Sequence, residues 1–128
     1  MSQPGGSSLS VVLLLSNDPD RTAGFYRDLI GIPLEAEEHG GRRRHYGGVT
    51  GSIYFTVQYT GDIPGPRPDA LHDSLQLCFS VPDLQVFLQH LEKHGVQPLH
   101  VPRPFEHTTF VTLRDPDGRT VRVMTPWK

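Results

Sequence analysis

The sequence predicts an α+β domain built from two βαβββ modules related by an internal repeat. Three observations predict it. Asp18 and Asp83 lie 65 positions apart, each in front of an apolar stripe at helical spacing. Gly31 and Gly95, 64 apart, close those stripes, and Pro33-Leu34 and Pro98-Leu99 repeat at 65. Around these markers each half reads strand, helix, then three strands. A period this long exceeds a solenoid unit. Neither half has a second layer on which to bury a sheet, so the two are expected to share one core about a pseudo-twofold axis.

Composition agrees with a single domain. A chain of 128 residues suffices for one real core. Hydrophobic residues at 36% and charged residues at 20% are ordinary for a soluble globular protein. Twelve basic against 14 acidic side chains give a net charge of −2, which argues against a nucleic-acid partner held by phosphate neutralisation. No apolar run approaches the ~18 residues of a membrane helix, so no membrane partner is expected. Residues 1–8, MSQPGGSS, lack the basic head and apolar stretch of a signal peptide and read as a flexible leader. Cys78 is the one cysteine, which excludes an internal disulfide and a multi-thiolate zinc site. The expected compartment is the cytoplasm.

The elements follow in order. The first module is expected over 9–59. Leu9 to Ser16 is a strand with apolar residues on both faces. Asp18 caps the first helix, Pro19 fits its first position, and Asp20 favours the positive end of its dipole. Phe25, Tyr26, Leu29 and Ile30 form its buried stripe, and Gly31 ends it as a left-handed residue. Strands are expected at Leu34 to Glu37, Arg43 to Tyr46 and Ser52 to Tyr59. The arginines at 42–44 read as a solvated hairpin beside Glu37 and Glu38. Residues 60–73 hold three prolines and two glycines and read as a connector. The second module, 74–128, opens with a strand at Ser74 to Ser80. Its helix begins at Asp83, packs Leu84, Phe87, Leu88 and Leu91, and ends at Gly95. Strands are expected at Val96 to Val101, Thr108 to Leu113 and Thr120 to Met124, with a loop from Pro102 to His107. Asp115-Pro116-Asp117-Gly118 is a tight turn: proline pre-sets φ and glycine supplies a left-handed position.

Four stretches, NDPDRTAGFYRDLIGIPL, HYGGVTGSIYFTV, FSVPDLQVFLQHLEKHGVQPL and FVTLRDPDGRTVRVM, resemble the vicinal oxygen chelate superfamily. That superfamily includes glyoxalase I, bleomycin resistance proteins and extradiol dioxygenases. The resemblance runs from about Leu9 onward. It implies a curved mixed sheet enclosing a cavity, and commonly a homodimer. It does not fix an activity, because one fold hosts many functions.

The resemblance also implies four positions from which metal-using members supply ligands. In this chain they fall on Val11, on Tyr54 or Thr56, on Gln76 and on Arg122. Divalent metals require converging oxygen and nitrogen donors. Valine offers none, Gln76 offers one, and a fixed cation at Arg122 repels a metal. No cofactor of the family type is therefore expected. A divalent metal held by other ligands, such as Gln76, His107 or a residue of a dimer mate, is the alternative.

Strand alternation places Thr120, Arg122 and Met124 on one face and Val121 and Val123 on the other. The valines suit a core, and Arg122 then points into the cavity. A guanidinium there requires an anionic partner, and its planar fork suits a carboxylate or phosphate. A ligand, an internal pair with Glu106 or Glu37, or an escape to the cavity rim would each meet that need. Gln76 and Cys78 share a strand face and read as cavity wall. Gln76 is either a ligand contact or an internally satisfied amide. Cys78 lacks an adjacent base and reads as a small apolar wall residue rather than a nucleophile. His107, beside Glu106, is an acid–base candidate or a polar loop residue. His90 and His94 share an outer helical face. Tyr46, Tyr54, Phe55, Tyr59 and Phe110 line a cavity or fill a core.

The reading that results is a glyoxalase/bleomycin-resistance-like protein that binds a small anionic or aromatic molecule, such as an antibiotic or metabolite. Its expected ligand-binding residues are Arg122, Gln76, Tyr54, Thr56, Cys78 and His107. A metal-dependent lyase or dioxygenase with non-standard ligands is the first alternative. A degenerate dimeric interaction module is the second.

Overall fold

The structure, a computed structural model, describes residues 6–38, 40–65 and 75–126. Most of the expected leader (1–5) and much of the connector (66–73) lie outside the described residues, as do His39, His72 and Ser74.

The first half contains β1 (Val11–Ser16), α1 (Pro19–Gly24), β2 (Glu35–Glu37), β3 (His45–Thr50) and β4 (Ile53–Tyr59). The Asp18 carboxylate accepts from the Arg21 amide at 3.3 Å, and Pro19 opens the helix, as its fixed φ allows. Beyond Gly24 the helix widens into a π-helical turn, Phe25–Ile30. Gly31 stops it at φ 93°, and the Gly31 and Ile32 amides both return to the Tyr26 carbonyl. Thr60–Asp62 is one short 3₁₀ turn at the head of the expected connector. The second half contains β5 (Leu77–Ser80), α2 (Leu84–Lys93), β6 (Arg103–Phe105), β7 (Thr108–Arg114) and β8 (Thr120–Met124). Asp83 caps α2 through the amides of Gln85 and Val86. The two sheets have the same wiring: β1-β4-β3-β2 and β5-β8-β7-β6, with the first pair of each parallel and the rest antiparallel. The repeat seen in sequence is thus a repeat of topology.

Two strand expectations need correction. Residues 96–101 form no strand; Pro98 and Pro102 cannot donate to a ladder, and the segment joins β7 through the Leu99 amide, 2.9 Å from the Thr112 carbonyl. The edge strand is instead β6, inside the stretch expected to be a loop. In the first half, β3 starts at His45 rather than Arg43 and continues through Gly47 and Gly48. Those glycines let neighbours come close: a Cβ at position 48 would lie 2.2 Å from the Pro33 carbonyl oxygen.

Helices cover one face of each sheet. Leu14, Phe55 and Val57 from the first sheet and Val111, Leu113, Val121 and Val123 from the second join Tyr26, Leu84, Phe87 and Leu91 in one core. Each such side chain contributes roughly 1.5–3 kcal/mol by burial. The Tyr26 ring sits 5.1 Å from Phe55 and 6.2 Å from Phe79, so this aromatic cluster bridges the halves.

A polar clamp fixes how the halves meet. Asp115 Oδ1 accepts from the amides of Asp117 and Arg119, both at 2.9 Å. Its Oδ2 accepts from Tyr26 Oη at 2.7 Å and Arg119 Nη1 at 3.0 Å. Asp117 Oδ2 accepts from Thr22 Oγ1 at 2.6 Å, and Arg119 Nη2 donates to the Leu15 carbonyl. The β7–β8 turn of the second half is thereby tied to β1 and α1 of the first. Adding 65 to the positions of β1 gives β5, so the counterpart of this junction lies between β5 and the β3–β4 turn. That turn carries Thr50 and Gly51 instead of acids. The counterpart junction is an apolar cleft of ≈ 490 Å³, walled by Leu9, Val12, Ile53 and β5.

Two predictions follow from the clamp. Arg119→Ala leaves the fully buried Asp115 carboxylate without its cation, and should cost about 3 kcal/mol in urea unfolding; a loss below about 1 kcal/mol would show that the clamp is dispensable. Burial, and then the adjacent Asp115 carboxylate, push the Tyr26 hydroxyl far above the usual 10.0. The folded chain therefore keeps a proton that the unfolded chain releases. Tyr26's contribution is complete below pH 10 and is lost as pH rises beyond it. Unfolding followed across the alkaline range should show stability falling there, with a shallower fall in Tyr26→Phe.

Candidate functional site

Opposite the helices, each sheet has a helix-free face. Alternation along the strands places Val11, Leu13, His45, Gly47, Val49, Tyr54, Thr56 and Gln58 on the first such face. Cys78, Phe110, Thr112, Arg122 and Met124 lie on the second.

On the second face Arg122 lies flat. Its guanidinium carbon stands 4.3 Å from the centre of the Phe110 ring, a cation–π arrangement. Its Nε is buried and makes no hydrogen bond. Cys78 on β5 and Thr112 on β7 are abreast of it. His100 meets Phe110 edge-on at 5.2 Å, with Nε2 2.8 Å from Thr112 Oγ1 and Nδ1 2.7 Å from the Val101 carbonyl. A carbonyl only accepts, so Nδ1 carries a proton, and the Thr112 hydroxyl can donate to Nε2. Arg103 is paired across β6–β7 with Phe110. Of the alternatives for Arg122, the internal ion pair with Glu106 or Glu37 does not form: among the described residues no carboxylate lies within ion-pair distance of it. Glu37 instead faces His45 on the other sheet, and Glu106 sits exposed in the β6–β7 turn.

On the first face Tyr54 Oη donates to Glu37 Oε1 at 3.0 Å, and His45 Nε2 lies 3.1 Å from Glu37 Oε2. Burial, and then the bond to Glu37, push the Tyr54 hydroxyl above the usual tyrosine value. Thr56 is buried and internally satisfied, donating to the Tyr46 carbonyl at 2.7 Å and accepting from Gln58 Nε2 at 3.2 Å.

The six residues expected at a site do not converge on one point. Tyr54 and Thr56 belong to the first sheet. Cys78 and Arg122 are neighbours on the second. Gln76 is exposed just before β5 and donates to Thr120 Oγ1 at 2.9 Å. His107 is exposed in the turn between β6 and β7. Gln76 and Cys78 also border the apolar cleft between the sheets. Glu37 and His45 both lie in expected strands, but only the β2–β3 register, which the sequence does not set, places them opposite one another.

The pairing also settles the register left open between Tyr54 and Thr56 for the four positions that the resemblance implies. Val11 is abreast of Tyr54, and Gln76 bonds Thr120, so the first-half counterpart of Arg122 is Thr56. The four positions are then valine, threonine, glutamine and arginine. Among the described residues no three His, Cys, Asp or Glu side chains converge as metal ligands. This donor set does not fit a divalent ion: it holds no anion to neutralise one and includes a permanent cation.

A profile of the glyoxalase/bleomycin resistance protein/dioxygenase superfamily matches residues 8–123. The uncharacterized protein YaeR of Escherichia coli (strain K12) is 26% identical over 113 residues, 84% of this chain and 87% of that protein. Among solved structures, an integron cassette protein from the mobile metagenome of V. cholerae superposes with a TM-score of 0.72 at 24% identity, covering 98% of this chain and all of that one. A lactoylglutathione lyase from Agrobacterium tumefaciens gives a TM-score of 0.72 at 21% identity, with 94% and 95% covered. At these identities the structural likenesses show the fold alone.

Proposed function

This chain belongs to the glyoxalase/bleomycin resistance protein/dioxygenase superfamily, and on that premise we propose that it binds a small molecule through an anionic group, without the metal centre of its metal-using relatives. The observation that carries this reading is Arg122: a guanidinium stacked on Phe110 whose buried Nε has no partner. A buried donor left unsatisfied costs about 1–3 kcal/mol. A ligand carboxylate or phosphate meeting the guanidinium fork would recover that cost with charge-assisted bonds. Phe110 below and the half-exposed Phe105 nearby offer an apolar bed for an aromatic body. Arg103, paired with Phe110 across β6–β7, adds positive potential along the same sheet. Lyase or dioxygenase chemistry at a divalent ion would require ligands that Val11, Thr56, Gln76 and Arg122 do not offer.

A cytoplasmic homodimer is part of the proposal. The helix-free face of the first sheet exposes Val11, Leu13 and Val49, apolar surface that a second copy would cover. Among the described residues no helix is long and apolar enough to cross a membrane.

Calorimetric titration with benzoate tests the anion site. Arg122→Ala should weaken binding by roughly 10- to 100-fold, the range of a charge-assisted hydrogen bond; equal affinity would remove Arg122 from the site. Elemental analysis of dialysed protein tests the metal reading. Substoichiometric divalent metal is expected, and one ion per chain surviving dialysis would overturn it.

A further inference from the structure

We infer, on the reading that Arg122 takes an anionic group, that the group is the dianion of a phosphate monoester on an aromatic body, held between two guanidiniums, those of Arg122 and Arg103.

The second guanidinium comes from the edge strand whose place the residues alone did not show. Arg103 on β6 is directly opposite Phe110 on β7, and Phe105 is opposite Thr108. Directly opposed residues share a face of the sheet, with Cβ atoms about 5 Å apart. Residues two apart on one strand share it as well. Arg103, Phe105, Phe110 and, on β8, Arg122 therefore all rise from the helix-free face of the second sheet. The Arg122 guanidinium covers the Phe110 ring, 4.3 Å from its centre. Arg103 flanks the same residue from the far strand and is exposed. The strand order β8-β7-β6 thus puts one cation on each side of Phe110.

Neither cation is compensated. Among the described residues no carboxylate lies within ion-pair distance of Arg103 or Arg122, and Glu106 in the adjoining turn pairs with neither. Like charges on one small face repel each other, and an anion between them relieves both. The number of acceptors then selects the anion. One guanidinium fork fills both oxygens of a carboxylate. A phosphate monoester has three acceptor oxygens and, above its second pKa of about 6, nearly two negative charges. It can accept from two forks at one point. Phe105, 51% exposed and two residues along β6 from Arg103, supports an aromatic body beside them.

Calorimetric titration of the whole chain at pH 8 with phenyl phosphate, benzoate and inorganic phosphate tests the assignment. Phenyl phosphate should bind at least roughly tenfold more tightly than benzoate, the gain of one charge-assisted hydrogen bond. It should also exceed inorganic phosphate, which lacks the ring. Arg103→Ala should weaken phenyl phosphate about tenfold and benzoate less than about threefold, so that the preference collapses. Arg103 is exposed, so this variant keeps the fold. Arg122→Ala should weaken both ligands. Equal affinity for phenyl phosphate and benzoate, or a preference that survives Arg103→Ala, would overturn the dianion and leave the Arg122 anion site standing. Inorganic phosphate bound as tightly as phenyl phosphate would overturn the aromatic body. Binding of neither aromatic anion by the unsubstituted chain would overturn the anion site itself.

Discussion

The carboxylate of Asp115 is where the two halves of the molecule are made one. It accepts from two amides of its own turn, from the arginine four residues on, and from a tyrosine hydroxyl contributed by the other half. Such a group is costly to bury alone and tolerable only when each lone pair has a partner. That requirement makes the clamp specific: the turn, the helix start and the end of β1 must all be in place together. Hydrophobic burial holds the halves in contact, but apolar contact is nondirectional. The clamp supplies the direction, and so sets which sheet edges and which open faces come near each other.

The clamp occupies one of the two junctions that the pseudo-twofold repeat creates. Its counterpart has a glycine-containing turn and an apolar cleft where the acids and arginine would stand. The two halves share one strand order and differ in charge. The first sheet's open face carries Glu35 and Glu37; the second's carries Arg103 and Arg122. The positions that the resemblance marks for metal ligands differ likewise: Val11 and Thr56 in one half, Gln76 and Arg122 in the other. At one of these positions the second sheet presents an arginine stacked on an aromatic ring, the arrangement from which the proposed anion site is argued.

Much of the architecture was legible in the residues, because the signals were local. Asp18, Pro19 and Gly31 mark one helix, Asp83 and Gly95 the other, and the Asp115–Gly118 turn marks the last hairpin. The place of the edge strand β6 also has a physical cause. Val96 to Val101 has strand-like residues, but Pro98 within it and Pro102 just after it remove donors a ladder needs, and the pairing lies at Arg103–Phe105 instead. The candidate site was less legible, because it depends on register. Arg122 stood out as a charge among valines. Glu37 and His45 did not, since only the pairing of β2 with β3, extended through two glycines, places them opposite one another. Nothing in the sequence alone shows that Gly47 is the space through which Tyr54 reaches Glu37.

A crystal structure grown with both benzoate and a manganese salt tests the central claim most directly, because anomalous scattering separates metal from ligand. The account predicts benzoate density against the Arg122 guanidinium and no anomalous peak among Val11, Thr56, Gln76 and Arg122. A manganese ion coordinated among those four positions, with Arg122 turned aside, would contradict it.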